Sequence, residues 1–250
     1  MQPSTRTVNV GIIGLGTVGG GVYRLITTHA ERYRKNLGID LRIARVCNRS
    51  EKRAHELGID PEQFTSDWHD VVSDPSIDIV VEVIGGEHPA TEIFEQSFAA
   101  GKHVVTANKA LLGRHMEKLA AAARAAGVQL RCEASCGGGI PIVNTLEHDL
   151  SGNEIITVAG IVNGTTNYIL SRMAEEGLGY EEVLADAQRL GYAEADPTAD
   201  VDGLDAASKI AILSSIGFAT RITTDDVHAQ GIRAISAQDI EVARKRVYAI

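Results

Sequence analysis

A lysine and an aspartate four positions apart mark the stretch "DVDGLDAASKIAILSSIGFA" of residues 200–219. From Ala206 onward, Lys209 is the only charged side chain in a run with the composition of a buried helix, and Asp205 lies on the same helical face. A positioned ammonium group can stabilise a developing alkoxide and donate a proton to it. The simpler alternative is a helix-stabilising ion pair, worth about 0.2–0.5 kcal/mol when exposed.

The surroundings of the lysine favour the chemical alternative. Ile212 and Leu213 continue the helical face that carries Lys209, so its ammonium group is expected to point toward apolar or enclosed surroundings. A run of acids also leads into the lysine, namely Glu194, Asp196, Asp200, Asp202 and Asp205. These carboxylates suit a pocket for a substrate that carries an amino group. We therefore predict a reaction centre at Lys209, with Asp205 holding the lysine in place.

A glycine turn near the N-terminus has the spacing of a dinucleotide site. Gly14, Gly16 and Gly19 form the pattern G-x-G-x-x-G directly after a predicted strand and open a predicted helix. The glycines permit a tight turn and a close approach of the backbone to a pyrophosphate, which amides at the helix start, at Thr17 and Val18, would bind. The same pattern occurs in ordinary turns, but here four further strands follow.

The end of the second predicted strand bears on the choice of cofactor. An acid at that end would bind the ribose of NAD, yet Asp40 precedes the strand and so lies at the wrong edge of the sheet. The strand ends instead in Asn48, Arg49 and Ser50. An arginine with small polar neighbours suits a 2′-phosphate, so the sequence favours NADP over NAD. A solvated surface arginine is the alternative.

Two further strand ends are expected to contribute to the same crevice, because ligands of open α/β sheets bind beyond the carboxyl ends of the strands. The third strand ends near Gly85 and Gly86, which leave room for a cofactor. The fourth ends in "TANKALL", which places Lys109 at the rim of the crevice. Gly85 and Lys109 are therefore predicted to bind the cofactor, and a solvated loop lysine is the alternative for Lys109.

The composition excludes several classes of protein. The chain has 250 residues and a formal net charge of −9, which disfavours binding to the phosphates of nucleic acids. No apolar stretch approaches the roughly 20 residues that span a bilayer, and the N-terminus lacks the layout of a signal peptide. The three cysteines, Cys47, Cys132 and Cys136, are too few for a disulfide framework and argue for a reducing, cytoplasmic location.

Strands alternate with helices along the first half of the chain, which predicts a parallel sheet covered on both faces. The predicted strands are 7–13, 41–47, 77–85, 102–108 and 128–135, and the predicted helices are 18–35, 91–101 and 114–127. The alternation then stops. A glycine loop that leads into a helix is predicted over 136–150 and a long apolar strand over 154–164, and three helices follow at 165–177, 180–190 and 203–218. We therefore predict an α/β fold, with a Rossmann-type parallel-sheet domain over 1–135 and an α+β catalytic and dimerisation domain over 136–250.

Four segments, taken with the glycine turn, resemble homoserine dehydrogenase. They are "VTANKALL" (105–112), "EASCGGGIPIV" (133–143), "GIVNGTTNYIL" (160–170) and "GYAEADPTADVDGLDAASK" (191–209). The last tract is long and unusual, so chance is a poor explanation for the match. The resemblance implies reversible hydride transfer between L-aspartate 4-semialdehyde and L-homoserine with NAD(P), a step toward threonine, methionine and isoleucine.

The resemblance also implies roles for the matching residues. Lys209 would be the acid/base at the C4 oxygen, and Asp205 would be its partner near the substrate. Lys109 would lie between nicotinamide and substrate, as a second candidate for proton transfer. Glu194 and Asp200 would hold the ammonium end of the substrate or shape its pocket. The NGTTNY motif, which could otherwise be an ordinary capped turn, would line the cavity.

The glycine loop resembles the family's monovalent-cation loop, in which backbone carbonyls bind a sodium-like ion between the domains. The matching positions are Glu133, Cys136, Gly138 and Ile140. Cys136 stands where the resemblance leads us to expect valine, but a backbone ligand does not depend on its side chain. Carbonyl oxygens suit hard cations, whereas Cys132 and Cys136 lack the further ligands that zinc needs. A glycine turn without an ion is the alternative.

Two predictions concern the whole protein. A homodimer is expected through the second domain, because an apolar strand at 154–163 needs cover on both faces. The chain is also expected to be truncated, because residues 231–250 resemble the approach to a final strand and members of the family continue and return to the nucleotide domain. Two other functions stay open on the sequence, a related amino-acid dehydrogenase and a non-catalytic NADP-binding module.

Overall fold

The computed structural model describes residues 5–250 and forms two compact units that divide between Thr145 and Leu146. The sequence placed the domain boundary after residue 135, within the first of these units. Each unit has its own buried apolar cluster.

The first unit alternates strands and helices, as the sequence predicts. Its strands are β1 (Arg6–Ile13), β2 (Ile39–Cys47), β3 (Phe64–Thr65), β4 (Ile79–Glu82), β5 (His103–Thr106) and β6 (Leu130–Arg131). Its helices are α1 (Thr17–Thr28), α2 (Ala30–Leu37), α3 (Lys52–Glu56), α4 (His69–Val72), α5 (Ala90–Ala99), α6 (Lys109–Ala125) and α7 (Ile142–Asn144).

The six strands form one parallel sheet in the order β3-β2-β1-β4-β5-β6. Ile12, Val46 and Val80 are completely buried, as expected for central strands covered on both faces. The strand order reverses between β1 and β4, which is the position at which doubly wound sheets bind their ligands. The predicted Rossmann-type parallel-sheet domain is confirmed.

Several element boundaries in this unit differ from the predicted ones, and three of the differences have a visible structural cause. The helix predicted over 18–35 is broken at His29 into α1 and α2, and the Thr27 hydroxyl donates to the Tyr23 carbonyl at 2.9 Å, a back-bond of the kind that bends helices. Helix α6 begins at Lys109, five positions before the predicted start of 114, because the Asn108 side chain caps it. The strand predicted over 128–135 is shortened to β6, since Glu133–Ser135 form a 3₁₀ turn.

The second unit is built from helices. They are α8 (Gly164–Glu176), α9 (Tyr180–Leu190), α10 (Thr198–Val201), α11 (Leu204–Gly217) and α12 (Ala237–Lys245), preceded by a π-helical turn at Thr145–Asp149. Ile169, Met173 and Val183 are central members of its buried cluster, which joins α8 to α9. Helices α8, α9 and α11 confirm three predicted helices. Within residues 5–250, no helix is long and apolar enough to cross a membrane.

The strand predicted over 154–164 is wrong. These residues pair with no strand in the described part of the chain, and residues 154–163 have no regular secondary structure. Ile155 and Val158 lie beside Gly217 of α11, whereas Ile156 and Ile161 are 85% and 80% exposed. A strand is defined by hydrogen bonds to a neighbour, which an apolar pattern alone does not provide. The described part of the second unit is therefore helical instead of the expected α+β arrangement.

The segment 231–250, expected to lead to a final strand, contains a helix. Residues Ala237–Lys245 form α12, which begins with a capping box between Ser236 and Asp239. The Ser236 hydroxyl accepts from the Asp239 amide at 3.1 Å, and the Asp239 carboxylate accepts from the Ser236 amide at 2.9 Å. The capping pattern S-x-x-D, present in the sequence, is the signal that favours a helix here.

The turn between β1 and α1 is closely packed at one glycine and open at another. Gly14 has a left-handed φ of 105°, and its amide donates to the Cys47 carbonyl at 2.8 Å. A methyl group placed at Gly19 would lie 1.9 Å from the Gly14 carbonyl oxygen. A methyl group at Gly16 would meet no atom within 4 Å. Close packing therefore requires glycine at position 19 but not at position 16.

We predict that Gly19→Ala lowers the free energy of unfolding by about 1–3 kcal/mol, since the turn must open to admit the methyl group. Gly16→Ala is the matched control and should change the free energy of unfolding by less than about 0.5 kcal/mol. Urea unfolding of both variants measures the difference. Equal losses in the two variants would contradict the close packing of Gly19 against Gly14.

Candidate active site

The glycine turn of the first unit is held to the end of β2 by hydrogen bonds. Besides the bond from Gly14 to Cys47, the amide of Leu15 donates to the Asn48 side chain at 3.2 Å. The Asn48 amide group in turn donates to the Ser50 carbonyl at 2.8 Å. Helix α1 begins directly after Gly16, so Thr17 and Val18 lie in its first turn, where backbone amides point out of the helix. The predicted pyrophosphate turn has the required form.

Two arginines follow the carboxyl end of β2. Arg49 was predicted from the sequence, and Arg53 in α3 was not. Arg49 is exposed in the loop after β2. Arg53, in α3, donates from Nη1 to Glu56 at 2.7 Å, and its Nη2 lies 3.7 Å from where a Cβ of Gly20 would be. Its guanidinium group therefore packs beside helix α1. The basic composition of "NRSEKR" was the available signal for it.

Asp40 lies at the opposite end of β2, as the sequence reasoning expected. It pairs with Thr7 in the β1–β2 ladder, and its side chain is 8% exposed. Arg34 donates to its carboxylate at 2.6 Å and Arg42 at 2.7 Å. Both hydrogen bonds lower the pKa of Asp40, and the bond from Arg34 has the larger effect. Asp40 is therefore a structural acid, with arginine partners of its own.

A buried polar network joins the carboxyl ends of β4 and β5. Glu82 is completely buried, and its two carboxylate oxygens accept from the Ile84 amide at 2.9 Å and the Thr106 hydroxyl at 2.8 Å. The Thr106 hydroxyl also accepts from the Asn108 amide at 2.9 Å, and the Asn108 side chain donates to the Gly86 carbonyl at 2.7 Å. These bonds fix the loop that contains Gly85, which has a left-handed φ of 75°.

Lys109 follows this network and is the first residue of α6. It is exposed, and Asn108 caps the helix by accepting from the Leu111 amide at 3.1 Å. The network thus fixes the backbone from which Lys109 projects at the carboxyl end of β5. Glu82 was missed by the sequence reasoning, although a single acid in the apolar strand "IDIVVEVIG" was a usable signal.

In the second unit, helix α11 brings the predicted lysine and aspartate together. The ammonium group of Lys209 donates to Asp205 Oδ2 at 2.6 Å and to the Val162 carbonyl at 2.7 Å. The side chain of Asp205 is 2% exposed and that of Lys209 is 16% exposed. Ile212 and Leu213 are buried, as the sequence analysis expected. The pair is therefore enclosed, unlike the exposed ion pair considered as the simpler alternative.

Asn163 connects this pair to a second acid. Its side-chain amide donates to Asp200 Oδ1 at 2.7 Å and to Asp205 Oδ2 at 2.9 Å. Its side-chain oxygen accepts from the Thr166 amide at 2.8 Å and so caps helix α8. The residue is 7% exposed. The NGTTNY motif, which is predicted to line the cavity, thus begins with the residue that joins the two acids, a contact that the motif alone does not reveal.

The remaining acids of the run have different partners. Asp202 accepts from Arg233 Nε at 2.5 Å, and Asp196 accepts from the Thr198 amide at 3.1 Å. Glu194 is exposed, and its backbone carbonyl accepts from the Gln188 side chain at 3.1 Å. Of the run predicted from the sequence, the structure therefore joins Asp200 and Asp205 at one amide group. Asp196 makes a local contact, and Asp202 binds an arginine 31 positions away.

The predicted cation loop lies in the first unit and is rich in turns. Gly137 and Gly139 have left-handed φ values of 59° and 82°. The Glu133 carboxylate accepts from the amides of Val143 and Asn144 at 3.0 and 2.7 Å, so this side chain holds the loop to α7. Its backbone carbonyl is the group that the resemblance assigns to the ion. Carbonyls of Cys136, Gly138 and Ile140 would complete a hard-oxygen donor set.

The cysteines offer little reactivity. All three are buried, and burial raises the pKa of Cys47 to about 11. Within residues 5–250, no group of three or more histidine, cysteine, aspartate or glutamate side chains could hold a metal ion.

Two family models match the chain, one in each part. The model described as "Homoserine dehydrogenase, NAD binding domain" matches residues 14–133, and the one described as "Homoserine dehydrogenase" matches residues 141–250. The first match contains the glycine turn, Arg49 and Lys109. The second contains Asn163, Asp205 and Lys209. The matches thus cover both groups of candidate residues.

Named relatives agree with the family models. A homoserine dehydrogenase from Synechocystis is 48% identical over 98% of this chain and 56% of its own length. The solved homoserine dehydrogenase from Thiobacillus denitrificans is 44% identical with a TM-score of 0.93, over 98% of this chain and 57% of that one. A putative homoserine dehydrogenase from Archaeoglobus fulgidus is 35% identical with a TM-score of 0.86, over 97% of this chain and 78% of that one.

The chain therefore spans a little over half the length of the curated relatives it matches, and most of the archaeal one. Its sheet order, glycine turn and Asp205–Lys209 pair lie within the matched segments. From these matches, the chain belongs to the homoserine dehydrogenase family, and its first unit contains the NAD-binding domain of that family.

Proposed function

We propose that the protein interconverts L-homoserine and L-aspartate 4-semialdehyde with a nicotinamide cofactor. The observation that carries this proposal is the ammonium group of Lys209, held by a buried carboxylate and a backbone carbonyl at 2.6 and 2.7 Å. When bound, the nicotinamide supplies or accepts the hydride, so the protein has to orient the reactants and manage the proton. Both other functions considered on the sequence are disfavoured by the family matches.

Lys209 is assigned the acid/base role. During reduction of the aldehyde, negative charge develops on the C4 oxygen, and the ammonium group stabilises this charge and donates a proton. During oxidation of homoserine, the neutral amine accepts the hydroxyl proton. Asp205 restricts the lysine to one direction. Lys109, at the carboxyl end of β5, is the second candidate for the proton transfer.

The acids beside Lys209 are assigned to the amino group of the substrate. Asp200 and Asp205 share the Asn163 amide, so two carboxylates lie close together near the lysine. A substrate with a permanent ammonium group is the complement of such a site. Glu194 is assigned to the same end of the substrate, from the resemblance of its tract to the family's motif.

The cofactor is assigned to the carboxyl edge of the parallel sheet. The open space at Gly16 and the first-turn amides of Thr17 and Val18 fit a pyrophosphate, with Gly14 and Gly19 closing the turn. Gly85 and Lys109 border the nicotinamide end. Arg49 at the end of β2 favours NADP over NAD, because a guanidinium group suits a 2′-phosphate.

A monovalent cation such as sodium is assigned to the carbonyls of Glu133, Cys136, Gly138 and Ile140. The support is a loop with two left-handed glycines whose one acidic side chain already binds backbone amides. We further propose a nucleotide domain over 1–135, a substrate and dimerisation domain over 136–250, and a cytoplasmic homodimer that works in amino-acid biosynthesis. The exposed apolar side chains of Ile156 and Ile161 support an interface on the second unit.

We predict that Lys209→Met lowers kcat for homoserine oxidation by at least about 100-fold, because the proton has no acceptor. NADP binding should persist, since the nucleotide residues lie in the first unit. Steady-state kinetics of the complete protein, with Lys118→Met as a control for an exposed lysine, measures the effect. Retained turnover in Lys209→Met, together with its loss in Lys109→Met, would transfer the acid/base role to Lys109.

We predict that Arg49→Ala raises KM for NADP by about 10-fold or more and leaves KM for NAD unchanged, because a hydrogen bond to a charged group contributes about 1.5–3 kcal/mol. Arg32→Ala, which removes an exposed arginine from α2, is the matched control. Parallel kinetics with the two cofactors measures the change in preference. An equal rise for both cofactors would contradict a contact between Arg49 and the 2′-phosphate.

We predict that sodium raises the thermal unfolding midpoint of the protein, because an ion that binds only the folded loop stabilises the folded state. Melting curves in sodium chloride and in tetramethylammonium chloride at equal ionic strength separate ion binding from screening. Identical midpoints in the two salts would contradict the cation site.

A further inference from the structure

One side chain in the second unit makes two kinds of contact through its two ends. The nitrogen of the Asn163 side chain donates to Asp200 at 2.7 Å and to Asp205 at 2.9 Å. Its oxygen accepts from the Thr166 amide at 2.8 Å. Ionised carboxylates only accept and backbone amides only donate, so the chemistry of the partners fixes which end of the amide faces which group.

The donor end of Asn163 meets the same carboxylate oxygen that holds the lysine. Asp205 Oδ2 accepts from Asn163 at 2.9 Å and from Lys209 at 2.6 Å. The donor end also lies between two carboxylates of equal charge, those of Asp200 and Asp205. Without that NH₂ group, the two acids would lose the donor that bridges them and would repel each other.

We propose that Asn163 is a positioning residue that fixes the Asp205 carboxylate and, through it, the ammonium group of Lys209. The proposal rests on the proposed function, because it assigns Asn163 to the setting of the acid/base lysine. Displacement of a reacting group by about 1 Å can cost about 100-fold in rate, so a residue that touches no reacting atom can still control turnover.

If the role of Asn163 were purely structural, it would depend on the side-chain oxygen, which accepts from the Thr166 amide. As the N-cap of α8, its oxygen satisfies an amide of the first turn, which aspartate or serine can do equally well. The cap and the bridge are therefore separable by substitution. Asn163→Asp keeps the shape and the capping oxygen but replaces the bridging donor with a charged acceptor. Asn163→Ser keeps a capping oxygen and removes the bridge.

The test compares both variants with a cap deletion elsewhere in the same unit. Ser236→Ala removes the N-cap of α12, which accepts from the Asp239 amide at 3.1 Å. This change leaves the contacts of Asp200 and Asp205 with Asn163 in place. Three quantities are measured on the complete protein: kcat with homoserine, KM for the cofactor, and the ¹⁵Nζ NMR signal of Lys209, identified by its disappearance in Lys209→Met. An ammonium group held by two acceptors gives a distinct signal, whereas solvated lysines exchange rapidly with water.

We expect Asn163→Asp to lower kcat by about 100-fold and Asn163→Ser by about 10-fold, with KM for the cofactor unchanged and the distinct Lys209 signal lost in both. Ser236→Ala should lose stability but keep kcat and the signal. The proposal is overturned if both Asn163 variants retain kcat and the Lys209 signal. It is equally overturned if kcat falls to the same extent in Ser236→Ala, because loss of any cap would then explain the effect.

The proposed function can fail separately. If the wild-type protein does not oxidise homoserine, the Lys209 signal still decides the positioning role. Loss of the signal in Asn163→Asp, but not in Ser236→Ala, supports the positioning role for whatever chemistry the lysine performs. Persistence of the signal in Asn163→Asp overturns it.

Discussion

The candidate active site depends on one buried ion pair, that between Asp205 and Lys209. With 2% and 16% of their side chains exposed, both groups have given up most of their water. An ionised group without a partner in such a place costs several kcal/mol, so neither charge is tolerable alone. Each charge stabilises the other, and the Val162 carbonyl accepts a further hydrogen bond from the ammonium group. The same enclosure makes the lysine's charge effective on a nearby oxygen, because little water screens it.

Three elements of the second unit position this pair, and each does so for a different structural reason. Helix α11 places Asp205 in its first turn, where the helix dipole favours an anion, and Lys209 one turn later on the same side. Helix α8 begins at a cap, Asn163, whose second end reaches the acids. The irregular segment before α8 contributes the Val162 carbonyl, which is available to the lysine because no strand partner uses it in the described part of the chain. The irregular backbone thus supplies an acceptor that a paired strand would have hidden.

Features that depend on local geometry could be predicted from the sequence. The β1–turn–α1 motif requires only a strand, glycines at fixed offsets and a helix, and the Asp205–Lys209 pair requires only that residues four apart share a helical face. The contacts of Asn163 could not be predicted in this way, because its partners lie 37 and 42 positions away and their approach depends on packing. The strand predicted over 154–164 failed for a related reason, since an apolar pattern does not supply a neighbouring strand. Glu82 could be predicted in part. An acidic residue in an apolar strand is apparent from the sequence, but its partner Thr106 belongs to another strand and could not be identified.

The central claim is that Asp205 and Lys209 act as one unit, and a double-mutant cycle on the proposed oxidation of homoserine tests it most directly. The rates of Asp205→Asn, Lys209→Met and the double variant are compared with that of the wild-type protein. If the aspartate works through the lysine, the double variant should be no slower than Lys209→Met alone. Losses that multiply in the double variant would show that the two residues act independently and would contradict this account.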